Sequence, residues 1–142
     1  MTTCFTVRSD KLYDWWSVVE PFIRACEETQ FEWTTDYVQR ALLERDAQLW
    51  CVNKKDKVVG IFVTRLEAGI DGAIGRVWIA AGELKDCGVA VFRDHIEPWF
   101  AEKGCQRITF DGRPGWAKIL PDYHIHSIKM VKELCSAATQ VH

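Results

Sequence analysis

Charge of one sign is missing from this chain. Its 18 basic and 20 acidic residues leave a formal net charge of -2 over 142 residues. A dedicated nucleic-acid binder shows a basic face, so this balance argues against one. The single local cluster of lysines, Lys54, Lys55 and Lys57, reads as the solvated tip of a hairpin. Long apolar runs are missing as well. No stretch approaches the roughly 18 residues that cross a bilayer, so no membrane partner is expected. The start, Met1-Thr2-Thr3-Cys4-Phe5, has neither a basic segment nor a long apolar one, and no secretory leader is expected. Among the six cysteines there is no CxxC pair, which excludes a zinc knuckle or a thioredoxin-like motif. Cys51 lies within Leu49-Trp50-Cys51-Val52, where a thiol behaves as a small hydrophobe. Reduced thiols and a cytoplasmic location are the expectation. Also absent are a GxxxxGK phosphate loop and any Ser-His-Asp or Cys-His set in recognisable local context.

Apolar bulk is present instead. Hydrophobic residues make up 48% of the chain, with seven Trp and seven Phe to fill a core. The length suits one domain over residues 1–142, with 135–142 as a frayed tail. A first strand is expected over residues 5–8. Leu12, Trp15, Trp16, Val19, Ile23 and Cys26 then follow helical spacing, interrupted at Pro21, which predicts a kink or a split. Thr34-Thr35-Asp36 offers a cap for a second helix ending near Asp46. Residues 48–52 and 58–66 read as a hairpin around a 53–56 turn, and 68–75 as a glycine-bearing loop. The nearly continuous apolar run over 76–81 suits a central strand covered on both faces. Helical spacing returns over 84–103, with Pro98 predicting another kink and Gly104 a stop. A strand over 106–110, a turn over 111–115, a short helix over 116–120 and a last strand over 125–134 complete the reading. This order, β-α-α-β-β-β-α-β-α-β, describes an α/β (α+β) domain. Its sheet is mixed, mostly antiparallel, of about six strands and flanked by helices.

The most informative stretch joins the central strand to the long helix: Gly82-Glu83-Leu84-Lys85-Asp86-Cys87-Gly88-Val89-Ala90. A helix start leaves backbone N–H groups unpaired and carries partial positive charge. Gly88 and Ala90 are small enough to let an anion close to that backbone, and Lys85 adds a full charge. Together they read as a phosphate or pyrophosphate site. The alternative is an ordinary strand-to-helix turn.

The element order and this turn resemble the GNAT superfamily of N-acyltransferases. Its signature is Gln or Arg, two residues, Gly, one residue, then Gly or Ala. Lys85, Gly88 and Ala90 stand at those three places, Lys85 being a departure. The stretch 112–123 is similar to small GNAT-like proteins of tailed phages and prophages, which implies a bacterial host cytoplasm. The resemblance implies a GNAT-like fold and acetyl-CoA, or another acyl-CoA, as donor to an amine acceptor. It implies that the strand edge around Ile79, Ala80 and Ala81 pairs with the pantetheine arm. Lys85, Cys87, Gly88, Val89 and Ala90 would hold the pyrophosphate. Glu83 and Glu67 are the candidate bases, because an ammonium ion must lose a proton before it can attack a thioester. Tyr123 is the candidate acid for the leaving thiolate, against a reading as core packing. The resemblance also admits a catalytically inactive accessory or assembly protein that binds a phage or host protein, and a homodimer. His124 and His126 share a strand face, but no Cys or carboxylate completes a set, so no metal is expected. Arg113 reads as a turn residue or an anion contact.

Overall fold

The computed structural model describes residues 2–111 and 114–134. They fall into two units, Met1–Gly112 and Arg113–His142. The expected tail over 135–142, and Gly112 and Arg113 of the expected turn, lie outside the described residues.

In the first unit, β2 (Gln48–Lys54) and β3 (Lys57–Ala68) form the expected hairpin. Its turn is tighter than expected: only Lys55 and Asp56 lie between the strands, both left-handed, with φ of 54° and 59°. Such a pair gives the twist that two-residue hairpins need. β1 (Thr2–Val7) begins earlier than expected because its first residues pair with the far end of β2. β4 (Ala73–Gly82) likewise begins earlier, pairing antiparallel with β3 down to Ala68. β5 (Cys105–Phe110) adds parallel to β4. Among the described residues the sheet is therefore five-stranded, in the order β1-β2-β3-β4-β5, antiparallel except for its last pair.

One sheet face carries α1 (Leu12–Glu27) and α2 (Thr35–Leu43). Leu12, Val19 and Ile23 of α1 and Val38, Ala41 and Leu42 of α2 are buried with Leu49, Cys51, Ile61, Val63, Ile79 and Ala81 from the strands. Pro21 does not split α1. The proline faces solvent while the stripe opposite is fully buried. Each such buried side chain contributes about 1.5–3 kcal/mol, and together they outweigh the roughly 3 kcal/mol cost of an interior proline.

The opposite face carries α3 (Gly88–Val91), a π-helical turn over Phe92–Ile96, and α4 (Glu97–Glu102). Here the expected single helix over 84–103 is corrected twice. It starts at Gly88, because Leu84 is buried against β3 and residues 83–87 form a turn. It also passes through the π turn just before Pro98, whose ring excludes the carbonyl one turn back and which has no N–H to donate. Phe62, Phe92 and Phe110 pack in a row through this layer, the first pair tilted and the second edge-on, with centroids 6.2 and 5.8 Å apart.

In the second unit α5 spans Pro114–Ile119, and residues 120–134 form no strand. The expected strand over 125–134 is thus corrected. Its apolar residues are exposed, Met130 by 90% and Ile128 by 82%. Alternation specifies a strand only where a neighbouring edge pairs with it.

Candidate functional site

Two parallel strands part company in the middle of β4. β5 pairs with β4 only from Ala73 to Val77, its last residue, Phe110, standing opposite Val77. Beyond that point residues 79–82 are bonded to β3 on one side, and among the described residues no strand takes the other side. A bulge marks the separation: Val63 faces Ile79 and Thr64 faces Val77, so Trp78 is the extra residue. Bulges re-aim side chains. This one puts Trp78 and Ile79 into the same core, on the α1 and α2 side.

The open stretch runs directly into the strand-to-helix turn. Gly82 has φ of 99°, a conformation other residues adopt at a cost. The Glu83 N–H donates to the Val59 carbonyl at 2.8 Å, the Leu84 N–H to the Gly82 carbonyl at 3.1 Å, and the Gly88 N–H to the Leu84 carbonyl at 2.7 Å. Leu84 is the anchor: its side chain fills the space that a β-carbon on Gly60 would occupy. Cys87 and Gly88 are buried, Val89 is half-buried, and Lys85, Asp86 and Ala90 are exposed. The turn therefore presents a cation, a carboxylate and a small residue outward from a pinned backbone.

Carboxylates lie at both ends of β4. Glu83 is exposed at the turn. Glu67 pairs with Ile74, about 25 Å away along the strand at some 3.3 Å per residue. The structure does not bring these two together. Glu67 is 3.5 Å from the Arg76 guanidinium, which also bonds the Asp111 carboxylate. Asp111 follows Phe110 and so stands where β5 leaves β4. In the sequence Asp111 reads as a turn residue, and its place directly after a strand is the one signal it carries.

An aromatic group rises beside the split. Trp78 meets Trp33 edge-on at 6.1 Å and Tyr37 at 5.9 Å, and the Arg65 guanidinium lies 4.6 Å over its ring. Gln30 holds Trp33 there: its amide donates to the Trp33 carbonyl at 2.7 Å and accepts from the Trp33 N–H at 3.0 Å. None of this was legible beforehand, because it joins three separate elements.

Among the solved structures that this chain resembles are three acetyltransferases. A GCN5-related N-acetyltransferase from Ralstonia eutropha JMP134 superposes with a TM-score of 0.69 at 12% identity, over 95% of this chain and 99% of its own. A predicted acetyltransferase from Clostridium acetobutylicum, solved with acetyl-CoA, gives 0.62 at 12% over the whole of both chains. An aminoglycoside acetyltransferase from an uncultured soil metagenomic sample, in complex with sisomicin, gives 0.62 at 11% over 92% of this chain and 97% of its own. The chain has the GNAT fold. No family model matches the sequence, and neither does any curated protein.

Within this GNAT fold, Ile79, Ala80 and Ala81 lie on the open stretch of β4. Lys85 and Cys87 lie in the turn, and Gly88, Val89 and Ala90 open α3. All eight lie within residues 79–90, the open stretch and the turn that follows it. Tyr123 belongs to the second unit, where it is half-buried and its N–H donates to the Leu120 carbonyl at 3.0 Å. His124 and His126, both exposed there, have ring centroids 6.4 Å apart. Among the described residues no three His, Cys, Asp or Glu side chains gather as a metal would need. No helix among them is long and apolar enough to cross a membrane.

Proposed function

We propose that the protein is an acyl-CoA-dependent N-acyltransferase, moving an acetyl or similar group from a coenzyme A thioester to an amine. The observation that carries this reading is the open edge of β4 over 78–82, continuing into the turn that presents Lys85 and Ala90 on either side of the buried Gly88. A strand edge offers N–H and C=O groups at the spacing an extended amide chain needs. The pantetheine arm is such a chain, and it fits beside Ile79, Ala80 and Ala81. Backbone N–H groups at the start of α3, with Lys85, fit a pyrophosphate. Coenzyme A supplies the activated acyl carbonyl.

The chain's own residues do the rest. Arg76 holds both Asp111, where β4 and β5 separate, and Glu67, which stands opposite Ile74 within their paired part. One of them removes the ammonium proton, directly or through a water, and frees the lone pair for attack on the thioester carbonyl. Asp111 is the better placed, being next to Phe110 at the split. Glu83 stands at the far end of the open stretch, beside the turn, and is the less suitable base. The thiolate leaves as the tetrahedral adduct collapses, and Tyr123 is the proposed proton donor. The cytoplasm is the proposed location, and the amine belongs to a small molecule or a protein.

Thermal unfolding with acetyl-CoA tests this reading. A ligand that binds only the native state at 100 times its Kd adds about 2.7 kcal/mol, so millimolar acetyl-CoA raises Tm. No shift at that concentration overturns the proposal. Free thiol release on an amine panel measures turnover, and Asp111→Asn or Glu67→Gln should lower kcat/KM by about 10²–10⁴ if it removes the base. Binding without turnover on any amine would instead favour an accessory protein that has kept only the fold.

A further inference from the structure

β3 outruns its neighbour. β2 begins at Gln48, opposite Thr64, so residues 65–68 of β3 have no β2 partner, and β1 stops at Val7, opposite Leu49. This overhang leaves a notch at the end of the sheet, with a cavity of about 570 Å³. Its walls are the chain just after β1, the end of α2, and Trp99 and Lys103 at the end of α4. β3 and β4 separate it from the open edge described above. The volume lies within the range of small-molecule sites.

The charge in this notch is not balanced. Arg8, Arg45, Arg65 and Lys103 line it, against Asp10 and Asp46, in a chain that is acidic as a whole. Arg8 and Asp10 cancel each other at 2.9 Å. Arg65 has no carboxylate partner among the described residues, and its Nε is buried with no hydrogen-bond acceptor. Lys103 Nζ rests 5.7 Å over the Trp99 ring, also without a carboxylate. Among the described residues Arg45 Nε reaches only the Ser9 hydroxyl, at 3.3 Å. The two helix ends at the notch each carry about half a negative charge, which leaves part of this positive charge uncompensated.

Arg45 holds its place against backbone preference. It is left-handed, with φ of 64°. Its N–H donates to the Leu42 carbonyl and the Asp46 N–H to the Ala41 carbonyl. This is the helix-ending motif in which glycine is favoured at the position of Arg45. A charged side chain kept in a strained position points to use of that side chain.

We infer that the notch binds a small organic anion, a carboxylate or a phosphate ester, with Arg65 as the main contact and Arg45 and Lys103 in support. The planar guanidinium suits two oxygens of either group. Trp99, Val7 and Leu42 supply apolar surface for the rest of the molecule. Arg65 also touches Trp78, so this second site abuts the bulge of β4.

Titration of the whole chain by calorimetry, with citrate in one arm and glycerol phosphate in the other at about 0.15 M salt, tests the inference. The arm that saturates identifies the anion class. The Arg65 Nε–H resonance, assigned by its loss in Arg65→Lys, is expected to shift with the same affinity. Arg65→Gln should weaken binding at least about tenfold, while Lys85→Ala leaves it unchanged. Arg45→Gly should weaken binding while raising Tm, a pairing that misfolding cannot mimic, and it serves as the test if Arg65→Gln does not fold. Failure of both anions to saturate below about 10 mM, or equal binding by Arg65→Gln and Arg45→Gly, overturns the inference. Binding abolished by Lys85→Ala places the anion at the α3 turn and overturns it too.

Discussion

Gly82 is the residue on which the β4 turn depends most. Its φ is 99°, and a β-carbon there would lie 2.5 Å from the Val59 carbonyl and 2.6 Å from the Gly60 α-carbon. Backbone cannot move aside as a flexible side chain can. Gly82→Ala is therefore expected to cost about 2–4 kcal/mol, read as a lower midpoint in urea unfolding. A shift below 0.5 kcal/mol, within the usual range for surface substitutions, would show that the turn rearranges freely. At this scale the sequence was partly legible. The small residues Gly88 and Ala90 stood out by their place before a helix. Gly82 did not, because its need for a positive φ arises from β3 passing close by. Asp111 and Arg65 were equally hidden: a charged residue in a turn or a strand carries no mark of which distant partner it meets or lacks.

Among elements, the join between α1 and α2 carries its own pH dependence. Hydrogen bonding by Thr35, whose N–H donates to the Glu27 carboxylate, holds the Glu27 carboxyl below the usual range. A depressed folded-state pKa adds stability that is present above the unfolded value. It is lost as pH falls through the folded one. Below the ordinary glutamate value of about 4.3, the two helices should therefore loosen from each other. Glu27→Gln should flatten the acid limb of a plot of unfolding midpoint against pH; an unchanged limb would rule the contact out. Element boundaries show which local signals can be trusted. Helical spacing identified α1, and capping identified α2, since the Thr34 hydroxyl does accept from the Tyr37 N–H, at 3.2 Å. Prolines were weaker guides. Pro21 faces solvent on a helix whose opposite stripe is buried, and Pro98 is absorbed by the π turn before it. The alternation over 125–134 failed for the reverse reason, having a pattern without a partner.

For the whole molecule, the order of elements was the most legible property, and the sheet pairing followed from it. Short connections make β2, β3 and β4 antiparallel, β1 joins them antiparallel across α1 and α2, and the helical crossover makes the last pair parallel. The sequence could not say where β4 and β5 stop pairing, because strand lengths are set by neighbours. Burial also sets the chemistry of the thiols across the β1–β2 pair. It pushes the Cys51 thiol up to about 12, with the neighbouring Cys4 adding to the shift, and the Cys4 thiol up to about 11, from 9.0. Raised values keep both thiols neutral in the native state. The associated stability is complete below 9.0 and is lost as pH rises towards the folded values. Unfolding free energy should thus decline above pH 9, and Cys51→Ala should make that decline shallower. An equal slope in the variant would assign the alkaline loss to other groups.

The bulge at Trp78 has a consequence beyond aiming a side chain. Among the described residues Ile79, Ala80, Ala81 and Gly82 form an unpaired strand edge, which is adhesive, and a second copy of the same chain is a ready partner strand. A regular partner pairs at a constant two-residue rhythm. The extra residue at Trp78 breaks that rhythm and increases the local twist. The same irregularity that stands where β4 and β5 part therefore guards the edge against its own kind, keeping it from becoming the seed of an aggregate.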